Sequence, residues 1–159
     1  MDGLEKEITH YLAKVSQSGM NADMSILHTG LLHAANDLER ISDHADNIAD
    51  LAHIAIEGDI SFSPEAMEEL REMYQLVLEV FEAAVQSVRD HNTALIPKVK
   101  ALEAQIDAKE EALRDAHIKR LKEGRCNAES GVVFLDIISN FERIGDHSNN
   151  VSHLTQGKL

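Results

Sequence analysis

The stretch Leu38-Glu39-Arg40-Ile41-Ser42-Asp43-His44 decides the fold, because a close copy recurs near the end of the chain as Phe141-Glu142-Arg143-Ile144-Gly145-Asp146-His147. The two copies lie 103 residues apart (39 to 142) and keep Glu, Arg, Ile, Asp and His identical. The similarity continues conservatively through residues 45–48 and 148–151. An internal repeat of this kind predicts two related structural units in one chain.

Each copy of the motif places two carboxylates four residues apart. On a helix this spacing puts them one turn apart on the same face, where like charges repel. A cation between them removes that cost, and two oxygen ligands one turn apart form half of a site for a hard metal ion. The pairs Glu39 with Asp43 and Glu142 with Asp146 are therefore candidate metal ligands. The alternative is a solvated acidic helix face without a metal.

A third carboxylate pair, Glu103 with Asp107, has the same spacing. If the fourth and fifth helices are antiparallel about a turn near Gly124, residues whose numbers sum to about 249 lie at the same level. Glu103 is then level with Asp146, and Asp107 is level with Glu142. Four carboxylates in one patch without a cation raise one another's pKa values. This patch is the strongest candidate site in the chain.

The corresponding segment of the first half is less complete. Leu4-Glu5-Lys6-Glu7-Ile8-Thr9 resembles the segment from Leu102 to Asp107, but Thr9 stands at the position of Asp107. One carboxylate is therefore missing beside the first motif.

The two basic positions of the motif have structural interpretations. We interpret Arg40 and Arg143 as ion-pair partners that support the carboxylates or a neighbouring helix. His44 and His147 are interpreted as packing or supporting groups beside the site rather than as metal ligands.

The composition favours an all-α protein. Hydrophobic residues make up 43% of the 159 residues and aromatic residues only 4%, with two Pro and eight Gly, so the core must be mainly aliphatic. That length suits one domain or two small helical bundles. The net charge of −13 disfavours nucleic acid and anionic membrane surfaces as partners, because both repel an acidic chain.

The cysteine content and the hydropathy pattern bear on location. Cys126 is the only cysteine, which fits a reducing compartment, and we expect a cytoplasmic location. No window approaches the roughly 20 consecutive apolar residues of a membrane-spanning helix. The sequence opens inside a charged helical pattern, which favours a segment of a longer protein.

Periodic apolar residues predict five helices, over about residues 4–17, 22–57, 64–89, 95–123 and 128–156. The predicted N-caps are Asn21 or Asp23 for the second helix, Ser63 for the third and Asn127 for the fifth. Pro64 and Pro97 both fall in a first helical turn, where proline is tolerated.

The twin motif resembles the paired signature of PhoU, a family of phosphate-uptake regulators. Within that family, two runs are most similar to the cytoplasmic C-terminal domain of bacterial sodium/phosphate cotransporters: His117-Ile118-Lys119-Arg120-Leu121 through Gly124, and Val133-Phe134-Leu135-Asp136. The resemblance covers nearly the whole chain.

The resemblance implies a PhoU-like fold of antiparallel helical bundles in two pseudo-repeats. Residues 1–58 would form a first repeat that lacks its first helix, and residues 63–156 a second repeat of three helices. It also implies metal clusters on the bundle surface, with Fe, Mn, Zn or Mg as the ion. The implied ligands are the motif positions Glu103, Asp107, Glu142, Asp146, Glu39 and Asp43.

Three functional hypotheses follow from these observations. The first is a metal-binding cytoplasmic regulatory domain of phosphate transport, whose partner is the membrane domain of a sodium/phosphate cotransporter or other phosphate-transport machinery, and which forms homo-oligomers. The second is a structural or partner-binding helical bundle without metal. The third is a metal-dependent hydrolase, but the sequence offers no distinct general base for one. We therefore expect that the chain is not an enzyme.

Overall fold

The computed structural model describes residues 2–17 and 19–156, and this part of the chain contains five α-helices and no strand. The helices are α1 (Asp2–Ser16), α2 (Ala22–Glu57), α3 (Pro64–Arg89), α4 (Ile96–Lys122) and α5 (Ala128–His153). Two short 3-10 segments, Thr93–Leu95 and Leu154–Gln156, precede α4 and follow α5. The prediction of an all-α fold with five helices is confirmed.

Polar side chains define three of the helix starts. Asn21, Ser63 and Asn127 each accept a hydrogen bond from the backbone N–H three positions later, at 2.8, 3.1 and 2.7 Å. These bonds satisfy donors that a helix start otherwise leaves unpaired. Of the two candidate caps for α2, the structure uses Asn21 and not Asp23.

The breaks between helices use the left-handed backbone region. Gly19 and Gly124 have φ angles of 84° and 68° after α1 and α4, a conformation that glycine adopts without strain. After α2, Gly58 is the C-cap at φ −83°, and the left-handed residue is the next one, Asp59, at φ 51°.

The central element of the fold is α5, which contacts α2, α3 and α4, whereas α1 packs on α2. The core between these helices is largely aliphatic, as the composition requires. Its fully buried side chains include Met73 and Val80 from α3, Val99 and Ile106 from α4, and Phe134, Ile138, Ser148 and Ser152 from α5. Helices α3, α4 and α5 thus pack mutually. The division into repeats 1–58 and 63–156 remains a prediction.

Helices α2 and α5 meet at the two repeat motifs. The rings of His44 and His147 stack with centroids 5.7 Å apart and an interplanar angle of 21°. His44 Nδ1 donates to Asn140 Oδ1 at 2.8 Å, and His147 Nδ1 donates to Asp37 Oδ1 at 2.8 Å. Asp37 and Asn140 occupy the same position in the two repeats, so the contact is reciprocal. Both histidines therefore join the two helices through packing and hydrogen bonds.

Helix α4 approaches α5 closely at Gly145. A Cβ at this position would lie 3.2 Å from Ile106 Cδ1 and 3.4 Å from Ile106 Cγ2. Because Ile106 is fully buried, the surrounding core leaves its side chain little room to move. Gly145 directly precedes Asp146, so this approach brings Asp146 close to the carboxylates of α4.

We expect Gly145→Val to lower the free energy of unfolding by about 1–3 kcal/mol, because the added methyl groups overlap Ile106. Ser42→Val is the matched control at the same repeat position, since Ser42 lines an open apolar groove. Its effect should stay within about 0.5 kcal/mol. Urea denaturation measures both values, and an equal loss in the two variants would contradict the role of Gly145.

Candidate metal centre

Three carboxylates from two neighbouring helices converge on the surface of the bundle. Glu103 and Asp107 come from α4 and Asp146 from α5, and one potential ligand oxygen of each lies within 4.8 Å of the others. Glu103 and Asp146 are half-buried and Asp107 is exposed. The antiparallel pairing of α4 and α5 thus brings Glu103 and Asp146 together, as expected from their sequence levels.

The fourth predicted carboxylate, Glu142, lies beside this group but not within it. Its Oε2 pairs with Arg143 Nε at 3.5 Å. Asp146 and Asp107 are near enough for their charges to act on Glu142. The structure therefore brings three of the four predicted residues into one group and places the fourth at its edge.

Burial and the repulsion of neighbouring carboxylates raise the pKa values of Glu103, Asp107 and Glu142. For Glu103 the largest cause is burial, followed by the charges of Asp107 and Asp146. Although the Asp107 residue is exposed as a whole, partial desolvation of its carboxyl group raises its pKa, and the charge of Asp146 raises it further. Burial and then Asp146 also raise the pKa of Glu142. A fully ionised patch is thus unfavourable in the absence of a cation.

Asn149 adds a further oxygen to the patch. It lies one turn after Asp146 on α5, and its side chain hydrogen-bonds to Glu103. Its Oδ1 is buried and has no hydrogen-bond partner within the described residues. An unsatisfied buried oxygen costs about 1–3 kcal/mol, and a cation or its bound water would satisfy it. The Glu and Asp pairs of the motif do not point to Asn149. Its spacing of three residues from Asp146 does, because residues three apart share a helix face.

The donor set fits a hard or borderline metal ion. It consists of carboxylate oxygens and one amide oxygen, which suit Mg, Mn and Fe and are also accepted by Zn. The raised pKa values and the unpaired Asn149 oxygen both indicate a site that a cation would stabilise. These residues therefore fit the metal that the sequence resemblance implies.

The first motif has a different environment. Glu39 and Asp43 are half-buried on α2, and within the described residues neither belongs to a group of three ligand-type side chains. On α1, Thr9 stands at the position that corresponds to Asp107. Its Oγ1 donates to Glu5 Oε1, one turn earlier, at 2.8 Å. A metal site at Glu39 and Asp43 remains a prediction.

The two motif arginines also differ. Arg143 pairs with Glu142, in agreement with the predicted ion-pair role. Arg40 is exposed and shows no ion pair in the part of the chain that the structure describes. The interpretation of the arginines as supports for the carboxylates therefore holds for Arg143 only.

Known proteins similar to this chain share one family. The family model of the PhoU domain matches residues 1–52 and 70–155. The chain is 33% identical over 121 residues to phosphate-specific transport system accessory protein PhoU homolog 1 of Thermotoga maritima, with 76% of this chain and 51% of that protein covered. It is 29% identical over 153 residues to the PhoU homolog of Xylella fastidiosa, with 96% and 63% covered. The chain thus spans less than two thirds of these relatives.

The fold is similar to the crystal structure of PhoU from Pseudomonas aeruginosa. The TM-score is 0.85 at 22% sequence identity, and the match covers 97% of this chain and 73% of that chain. These matches confirm the PhoU part of the resemblance, while the cotransporter branch remains a prediction. No helix in the described residues has the length and apolar character needed to span a membrane.

A carboxyl group whose pKa is higher in the folded chain than in the unfolded chain stabilises the fold in its protonated form. Its contribution is present at low pH and is lost as the pH rises through the raised pKa. We therefore expect Glu103→Gln/Asp107→Asn to raise the Tm of the chelator-treated chain at pH 7 by about 1–3 °C. The difference should shrink as the pH falls and disappear well below the ordinary carboxyl pKa values of about 4, where these groups are protonated in both the folded and the unfolded chain.

Glu72→Gln is the control with the opposite sign, because Glu72 bonds to Lys109 at 2.6 Å and that bond lowers its pKa. It should not raise the Tm at pH 7. Thermal unfolding followed by circular dichroism measures both variants. A fall in Tm of Glu103→Gln/Asp107→Asn at pH 7 would contradict the repulsion within the patch.

Proposed function

The chain belongs to the PhoU domain family, and on that basis we propose that it is a metal-binding regulatory domain of phosphate transport. Support for the transport role comes from the relatives, which are named as accessory proteins of phosphate-specific transport systems. A regulatory accessory role requires no catalytic residues, in agreement with the expectation that the chain is not an enzyme.

The metal-binding role rests on the convergence of Glu103, Asp107 and Asp146 from two helices. Fe, Mn, Zn and Mg all accept such oxygen ligands. A bound ion would supply positive charge to this patch. The residues of the chain would hold it by presenting two carboxylates from α4 and one from α5, with Asn149 beside them. Binding would thus link α4 to α5 and remove the repulsion within the patch.

We propose that the chain acts on the cytoplasmic side of the membrane. Its partner there would be the membrane component of a phosphate transporter, either a sodium/phosphate cotransporter or other phosphate-transport machinery. Nucleic acid is not among its partners, since the net charge of −13 repels phosphate backbones.

A second copy of the chain is also part of the proposal. Helices α1 and α2 leave large apolar side chains exposed to solvent. An exposed apolar surface of this kind is typical of an interface. We propose that a homo-oligomer covers these side chains, which include Leu4, Ile8, Tyr11, Leu27 and Leu31.

The alternative function is a structural or partner-binding bundle that holds no metal. The observation that favours it is an apolar groove of about 470 Å³ between α2, α3 and α5, with Leu38, Tyr74 and Phe141 among its lining residues. Such a groove accepts an apolar surface of another protein without any contribution from the acidic patch.

Metal content per chain distinguishes the two functions. In protein purified without chelator, we expect about one or more equivalents of Fe, Mn or Zn by plasma mass spectrometry, because three converging carboxylates retain such ions. Glu103→Gln/Asp146→Asn should lose the ion held between α4 and α5. The matched change in the first motif, Glu39→Gln/Asp43→Asn, should retain it.

Absence of metal from the unaltered chain, even after incubation with Mn, Fe and Zn, would contradict the metal-binding role and favour the alternative. The regulatory role has its own readout in the source organism. There, Glu103→Gln/Asp146→Asn should change how uptake of radiolabelled phosphate depends on external phosphate. Unchanged uptake in this variant and in a deletion of the gene would contradict the regulatory role.

A further inference from the structure

The apolar groove between α2 and α3 runs along one side of α2. Both helices pack on α5, which also lines the groove through Phe141 and Ile144. The lining residues of α2 extend from Leu38 to Ile48, which is about three helical turns or about 15 Å. None of the candidate metal ligands lines this groove, so it is separate from the metal centre.

The internal repeat allows this side of α2 to be compared with the same side of α5. Five groove residues of α2 correspond to α5 residues 103 positions later. In α5 all five positions are buried, whereas in α2 only Ile41 is buried, Ala45 is exposed and the other three are half-buried. The same positions are thus covered in the second half and open in the first. The pairs are Leu38 with Phe141, Ile41 with Ile144, Ser42 with Gly145, Ala45 with Ser148, and Ile48 with Val151.

Helix α3 covers α5 on this side. Tyr74 of α3 contacts Phe141 of α5, with ring centroids 6.2 Å apart. The side chains that α3 buries in the shared core recur at a spacing of 4-3-4 residues, and they are Met73, Val77, Val80 and Ala84. Because α1 precedes α2 as α4 precedes α5, α3 is the helix of the second half that has no counterpart among the described residues of the first.

The relation between the two halves determines where a counterpart of α3 would lie. His44 of α2 binds Asn140 of α5, and His147 of α5 binds Asp37 of α2, so the two helices run antiparallel and a twofold rotation exchanges them. The axis of this rotation is perpendicular to the plane of the two helices, and each face of the pair therefore stays on its own side. A counterpart of α3 would then lie on α2 and beside α3, which is the position of the groove.

The borders of the groove are acidic. Asp46 lies one turn after Ser42 on α2, and Glu82 lies one turn after Leu78 on α3, and both carboxylates belong to exposed residues. Arg71, two turns before Leu78, is ion-paired with Glu68. The chain as a whole carries a net charge of −13. Basic residues on the flanks of a helix therefore favour its entry into the groove.

We propose that the groove binds an amphipathic helix from a polypeptide outside these 159 residues, and that this helix lies on α2 as α3 lies on α5. Its apolar side chains recur at a spacing of 4-3-4 residues and contact Leu38, Ala45 and Ile48, and basic residues flank this stripe. A helix laid in an apolar groove is a common mode of protein recognition. Its binding rests on the partner-binding function of the groove and not on the metal centre.

Peptides based on α3 test this proposal on the full chain. The probe is a labelled peptide with the sequence of residues 64–89, in which the exposed glutamates are changed to lysine: Glu65, Glu68, Glu72, Glu79 and Glu82. The control is a peptide of the same composition in scrambled order, which has the same charge but no apolar stripe. At an ionic strength of about 0.15 M, we expect the probe to bind with a Kd of about 100 μM or tighter by fluorescence anisotropy. The scrambled peptide should bind at least about tenfold more weakly.

Variants of the chain locate the binding site. Ala45→Glu places a charge against the apolar stripe of the probe and should weaken binding about tenfold or more. Ala112→Glu is the matched control, because it makes the same change at an exposed alanine of α4 outside the groove, and it should leave the affinity unchanged. If Ala45→Glu fails to fold by circular dichroism, Leu78→Glu on the opposite wall carries the same expectation.

Equal binding of the probe and the scrambled peptide, or equal affinity of Ala45→Glu and Ala112→Glu for the probe, would overturn the proposal. A dimer of the chain that Ala45→Glu dissociates in sedimentation velocity would also overturn it, because a second copy would then occupy the groove. Metal content is measured in the same samples. Ala45→Glu should retain any bound metal, so a failure of helix binding is distinguishable from a failure of the metal-binding role.

Discussion

The burial of α5 is the constraint on which the other features of the structure depend. This helix contacts α2, α3 and α4, so it has little free surface. Small residues are required where its neighbours approach, as at Gly131 against His117 and at Gly145 against Ile106. Ser148 is fully buried on the same helix and donates its hydroxyl to a carbonyl of α5 itself, at 2.7 Å, which removes the cost of burying it. The candidate metal centre depends on this packing, because it places Asp146 of α5 beside Glu103 and Asp107 of α4.

Much of this arrangement could be predicted from the sequence, because it depends on regular helix geometry. Once the turn at Gly124 is located, the shared rise per residue sets Glu103 level with Asp146, and the structure brings both into one group with Asp107. The side-chain directions could not be predicted in this way. The place of Glu142 at the edge, the unpaired Asn149 and the stacked histidines depend on helix rotation and crossing angle, which the apolar period does not determine.

The repeat shows how one motif acquires two environments. In the second half, α4 presents Glu103 and Asp107 to the motif on α5. In the first half, the corresponding segment of α1 carries Thr9, whose hydroxyl bonds to Glu5. A Glu and an Asp one turn apart are thus only half of a centre, and the neighbouring helix must provide the remainder. The repeated sequence motif therefore does not imply two equivalent metal sites.

We propose that α4 and α5 hold a cation between Glu103, Asp107 and Asp146. The most direct test is a crystal of the full chain grown with manganese and measured at the manganese absorption edge. We expect an anomalous peak in contact with the carboxylates of all three residues and beside Asn149. A map without a peak there, with the three carboxylates bonded only to water or lysine, would contradict the claim.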